Sequence, residues 1–137
     1  MLGINVRDSE LDLFKWFLAC FLFGKPIQSS VAIQTWELMV EHKLDTPWAI
    51  VDAKQRTLVG VLYEGKYTRY AESTASALKQ CMEQLINWYE GSLQYMIDTS
   101  EDEEMFEKRL QKLYGVGPKV SEIFMRETTE FFAERNE

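Results

Sequence analysis

Residues 14–23 are apolar at nine of ten positions, broken only by Lys15. A membrane span needs roughly 20 apolar residues. The run is therefore too short to cross a bilayer, and it is too apolar to lie on a surface. It is expected to be a central helix, buried on all sides, around which the other elements pack. Cys20 lies inside it, where a buried free thiol is expected, and Cys20 and Cys81 are too few for a disulfide framework. That usage fits the cytoplasm, and residues 1–13, which include Arg7, Glu10 and Asp12, hold no apolar core of signal-peptide length.

Elsewhere helical spacing recurs between clear stops, and 58–63 is the only β-looking run. With 137 residues, 46% of them hydrophobic, the chain holds enough apolar material for one core. One compact all-α domain over residues 1–137 is expected. Gly24-Lys25-Pro26 ends the first helix, and Ser29 or Ser30 stands ready to cap a second, to Lys43, with Val31, Trp36, Met39 and Val40 inward. Thr46-Pro47 opens a third, with Trp48, Ile50 and Val51 as its apolar residues. A short helix over 55–63 precedes the longest one, 67–89, which ends at Gly91 as its C-cap. After a short segment at 92–97, Ser100 and Glu103 form a capping box. The helix it opens, 101–113, turns Met105, Phe106, Leu110 and Leu113 inward. Pro118 starts the last helix, to Glu134, with Val120, Ile123, Phe124 and Phe131 apolar.

Leu113-Tyr114-Gly115-Val116-Gly117-Pro118-Lys119-Val120 is the stretch that points to a ligand. Two glycines one residue apart allow a tight turn and the close approach of a bulky anion. Proline suits the first helical position, where its missing N–H would be unpaired anyway. Backbone N–H groups over Gly115, Val116, Gly117 and Lys119 would then face outward with the positive end of the helix dipole, the arrangement that holds a phosphate without reading a base. An ordinary helix-loop-helix turn is the plainer alternative. The whole chain carries 15 basic and 22 acidic residues, a net charge of −7, which disfavours bulk electrostatic coating of nucleic acid. Around this stretch the sign reverses. Lys108, Arg109, Lys112, Lys119 and Arg126 stand against Glu107 and Glu122 between Met105 and Arg126, and Lys112 joins the turn as a phosphate contact.

Residues 113–120 resemble the helix-hairpin-helix signature of the endonuclease III-like DNA glycosylase superfamily, Leu-Pro-Gly-Val-Gly-x-Lys, with Tyr114 where proline is usual. Residues 17–23 are similar to that family's apolar second helix. Leu62-Tyr63, Gly65-Lys66 and Tyr70-Ala71 are similar to its Gly-Leu-Tyr, Lys-Ala stretch. The resemblance implies a compact multi-helix domain of DNA-glycosylase type, with the helix-hairpin-helix at 101–134, and duplex DNA, damaged or abasic, as partner. No membrane is involved, and a location at the nucleoid or nucleus would follow from DNA binding. The family's iron–sulfur cluster needs four cysteines and is excluded; no cofactor is expected beyond room for a monovalent cation at the hairpin, and no metal site.

By resemblance, Lys119 occupies the column of the lysine that attacks the sugar in glycosylases that also cleave the backbone. An attacking amine must be neutral, which takes burial or a neighbouring cation. The alternative is that Lys119 pairs with a phosphate as a point charge. The family's downstream aspartate, set in Val-Asp-x-His-Val, has no counterpart: Glu137 stands at its spacing without the flanking motif, and Glu130 and Glu134 read as solvated charges. By the same resemblance, Gln28 is the residue for filling the gap left by an extruded base, and Tyr63 is an aromatic for the receiving pocket, beside Tyr67 and Trp88. His42, the only histidine, reads as a structural residue near a helix C-terminus. The expected function is a base-excision glycosylase and abasic-site lyase acting through Lys119. The alternative is a catalytically inactive DNA-binding or protein-interaction module of the same fold.

Overall fold

The computed structural model describes residues 4–7 and 9–133. Among them are nine helices and no strand: α1 (Glu10–Phe23), α2 (Ser29–Glu41), α3 (Pro47–Asp52), α4 (Gln55–Glu64), α5 (Ala71–Tyr89), α6 (Leu93–Asp98), α7 (Glu103–Lys112), α8 (Pro118–Met125) and α9 (Thr129–Ala133). The expected last residues of the final helix, Glu134 and beyond, and Glu137 lie outside the described residues.

Helix α1 is the hub that its apolarity demands. Every residue from Trp16 to Leu22 is buried, and the helix packs against α2, α6 and α8. The indole N–H groups at this hub are used rather than merely enclosed. Trp16 Nε1 donates to the Phe124 carbonyl of α8 at 3.1 Å, and Trp36 Nε1 of α2 donates to the Lys15 carbonyl at 2.9 Å. Phe17 meets Phe124 edge to face at 5.4 Å, and Phe106 of α7 adds a tilted contact to the same ring at 6.2 Å. Helix α5 is the second organiser, packing against α3, α4 and α6. Its inward residues Leu78, Cys81, Met82 and Leu85 are fully buried. Both cysteines are free and buried; burial raises the thiol pKa of each well above its ordinary value.

Several boundaries differ from those expected, each for a local reason. Helix α2 begins at Ser29 with Gln28 at its N-cap and no side-chain cap bond, so neither serine caps it. Ser100 does not cap α7 either: its hydroxyl is buried and donates to the Met96 carbonyl at 2.7 Å. Asp102 takes that place, accepting from the Met105 N–H at 2.8 Å. Helix α5 starts at Ala71, because the Tyr67 ring is drawn into the core ahead of it. Its C-cap is Glu90 in the left-handed region, followed by Gly91 at φ +74°, where a Cβ would meet the Trp48 ring at 2.5 Å. Trp48, one of the apolar residues of α3, lies over this glycine and stays half-exposed. The helix expected from Pro118 to Glu134 breaks at 126–128 into α8 and α9. The buried Thr128 sits in the break and its hydroxyl has no hydrogen-bond partner.

Candidate nucleic-acid interface

Three segments converge at the C-terminal end of α1: the loop 24–28, the loop 65–70 and the α7–α8 connection, 113–117. Each is fixed by close backbone approach. A Cβ on Gly24 would stand 2.7 Å from Val120 Cγ2, which sets the first loop against the start of α8. A Cβ on Gly65 would overlap Thr35 of α2, at 2.2 Å from Oγ1 and 2.8 Å from Cα. Beyond it, Tyr67 is buried and its hydroxyl donates to the Leu22 carbonyl at 2.6 Å. Burial pushes the Tyr67 pKa up to about 12. Between these two anchors Lys66 is held at φ +72°.

The 113–117 connection rests on α1 and α5. Gly115 has φ +82°, and a Cβ there would meet Phe21 Cζ at 2.8 Å and the Ala77 Cβ at 3.5 Å. The Tyr114 N–H donates to Gln84 Oε1 at 2.6 Å, a bond that proline at this position would lack. The Val116 N–H donates to the Leu113 carbonyl, and its side chain is buried. Val116 therefore has no donor for an outside anion, contrary to the expectation that all the amides from Gly115 to Lys119 face outward. Gly115, Gly117 and Lys119 retain N–H groups with no bond to the described residues. Gly117, extended at the N-cap of α8, has nothing within 4 Å of where a Cβ would lie. That open space is where an anion can come against the backbone.

Lys119 and Lys112 are exposed, and Lys119 also borders a cleft of about 450 Å³ between α1, α2 and α8. Trp16, Phe23, Ile27, Ile33 and Ile123 give it apolar walls, and Arg126 and Glu127 share its rim with Lys119. Glu127, which no sequence motif singles out, brings a carboxylate to the same cleft as the lysine. A larger hollow of about 580 Å³ has the wrong sign for a phosphate, being lined by Glu101, Asp102, Glu103, Glu104 and Glu130.

The positive charge expected around 105–126 is largely committed elsewhere. Arg109 donates to Thr99 Oγ1 at 3.0 Å and Ser100 Oγ at 3.3 Å, with its guanidinium over the Tyr89 ring. Lys108 pairs with Glu104 and Arg126 with Glu122. Lys25 on the loop 24–28, and Lys66 and Arg69 on the loop 65–70, are further cations on the segments that meet at the end of α1. Gln28 lies on the first loop and is exposed. Tyr63, half-exposed in the last turn of α4, does not line the Lys119 cleft, and Trp88 is half-exposed on α5. Tyr67, as a core residue, cannot serve as a pocket wall. His42 is the C-cap residue of α2 and lies 3.5 Å from Glu64.

Among the described residues, no helix is long and apolar enough to cross a membrane, and no group of three or more His, Cys, Asp or Glu is placed to hold a metal ion. No known protein family, curated protein or solved structure matches the chain.

Proposed function

We propose that the 113–119 segment is the hairpin of a helix-hairpin-helix, that α1 to α9 form a domain of the endonuclease III-like glycosylase type, and that the protein binds the backbone of duplex DNA. The free amides of Gly115, Gly117 and Lys119 at the N-terminus of α8, beside the open face of Gly117, carry this reading. Such donors hold phosphate by charge and geometry and leave the bases unread. Damaged or abasic DNA is the favoured target. At an abasic site the Lys119 amine would attack the C1′ aldehyde and lose water to form a Schiff base, with Glu127 the nearest carboxylate on the cleft rim to take the place of the missing aspartate.

A second reading, a binding module without catalysis, is favoured by the exposure of Lys119, since an exposed ammonium is suited to pairing with phosphate as a point charge. Trapping separates the two. An abasic-site duplex treated with borohydride should give a covalent adduct that Lys119→Ala abolishes and Glu127→Gln slows. Duplex binding without an adduct would leave the binding module. Absence of duplex binding at low salt would refute both.

A further inference from the structure

Tyr70, half-buried immediately before α5, carries two cations on its ring. Lys25 Nζ lies 5.4 Å from the ring centroid and the Arg69 guanidinium carbon 5.3 Å. A ring face attracts a cation, and one ring gathering two of them concentrates positive charge that an anion would offset. Neither has an acidic partner among the described residues. Glu64, the last residue of α4, lies 3.5 Å from His42, and Glu122 of α8 pairs with Arg126. Glu72, two residues past Tyr70, is exposed on α5.

The position of this pair matters as much as its charge. Gly24 is pressed on the Val120 side chain, so Lys25 and Lys119 are the chain neighbours of two residues in contact. Loop 65–70 is tied to the same end of α1 by the Tyr67 hydroxyl on the Leu22 carbonyl. The free amides of the 113–119 segment, Lys119, Lys25 and Arg69 thus belong to three chain segments anchored at one end of α1. We propose that Lys25 and Arg69, seated on Tyr70, are a second phosphate clamp, taking a phosphodiester next along the same strand that the 113–119 amides hold. The clamp rests on the reading of that segment as a phosphate grip.

The test is the salt dependence of binding to a short fluorescent duplex of undamaged DNA, followed by anisotropy. Each lost phosphate contact lowers the slope of log K against log salt by about 0.9. Lys25→Gln with Arg69→Gln should reduce the slope by nearly 2 and weaken binding about tenfold or more at low salt, with the melting temperature unchanged. Tyr70→Leu keeps both charges and removes their seat; it should weaken binding severalfold with little change in slope, and parent-like affinity would overturn the seating. If Gly117→Ala weakens binding while the double variant matches the parent in affinity and slope, the clamp is wrong and the grip stands. If the parent does not bind duplex at all, both fall. Equal binding to phosphatidylglycerol vesicles would overturn the assignment to nucleic acid.

Discussion

Gly115 and Gly117 look equivalent in the sequence and are opposite in structure. Gly115 combines φ +82° with a Phe21 ring carbon 2.8 Å from any added Cβ, so it is a packing residue whatever it binds. Gly115→Ala should cost about 2–4 kcal/mol from backbone strain and overpacking together, read as a lower melting temperature. Gly117→Ala should leave the melting temperature within a degree or two of the parent, as its space is open and its φ is −99°. Any loss of DNA affinity in Gly117→Ala then reports on the backbone's exposure to phosphate alone. Thr128 offers a contrasting prediction. Its buried hydroxyl has no partner, so Thr128→Val should be neutral or stabilising by up to about 1 kcal/mol in denaturant titrations, and a clear loss of stability would mean that the hydroxyl is in use. None of this is visible in a string of letters. The two glycines differ through Phe21 and Ala77, residues far away in the chain.

Elements whose starts and stops are set by their own residues were legible. Thr46-Pro47 opens α3 as read, with the Thr46 hydroxyl accepting from the Ala49 N–H at 3.1 Å. Elements closed from a distance were not. Helix α6 is capped partly by Ser92 and partly by Glu10 of α1, whose carboxylate accepts from the Leu93 N–H at 3.0 Å, the Gln94 N–H at 3.1 Å and the Ser92 hydroxyl at 2.6 Å. Glu10→Ala should destabilise the protein by about 1–2 kcal/mol, because amides at a helix N-terminus lose a charged acceptor. A fall of the same size in Glu10→Gln would assign the effect to charge rather than to side-chain reach. The loop 65–70 makes a prediction of its own. Tyr67 has its folded pKa raised to about 12 from 10.0, so the folded state holds this proton more tightly than the unfolded chain. Its contribution is present in full below pH 10 and fades between pH 10 and 12, by roughly 2–3 kcal/mol at the upper end. Tyr67→Phe should flatten the alkaline limb of the stability profile, at the cost of an unpaired Leu22 carbonyl at neutral pH.

Across the whole molecule, the all-helical class and most inward faces followed from 3.6-residue periodicity, and the buried first helix from an apolar run too short to span a membrane; both are properties of the letters themselves. The candidate site followed only in part. The 113–119 turn could be picked out because its glycines, Pro118 and Lys119 are close together in the chain, whereas Lys25, Arg69 and Tyr70 come from distant segments brought to the same end of α1, and Glu127 shares a cleft with Lys119 that no motif announces. The net charge of −7 is likewise a poor guide to local sign, since a sum over the chain conceals Lys25, Lys66 and Arg69 on the two loops at the end of α1. One consequence of α1 concerns the order in which the protein is made. The Trp16 indole finds its partner, the Phe124 carbonyl, 108 residues further along, and Glu10 meets α6 across 82. A ribosome therefore releases the most apolar helix of the chain, with only α2 following promptly to cover one side of it, long before α6 and α8 exist to close the rest. Nascent chains arrested before α8 should be held by chaperones or aggregate, and replacing exposed surface will not relieve them; only the arrival of α8 can end that wait.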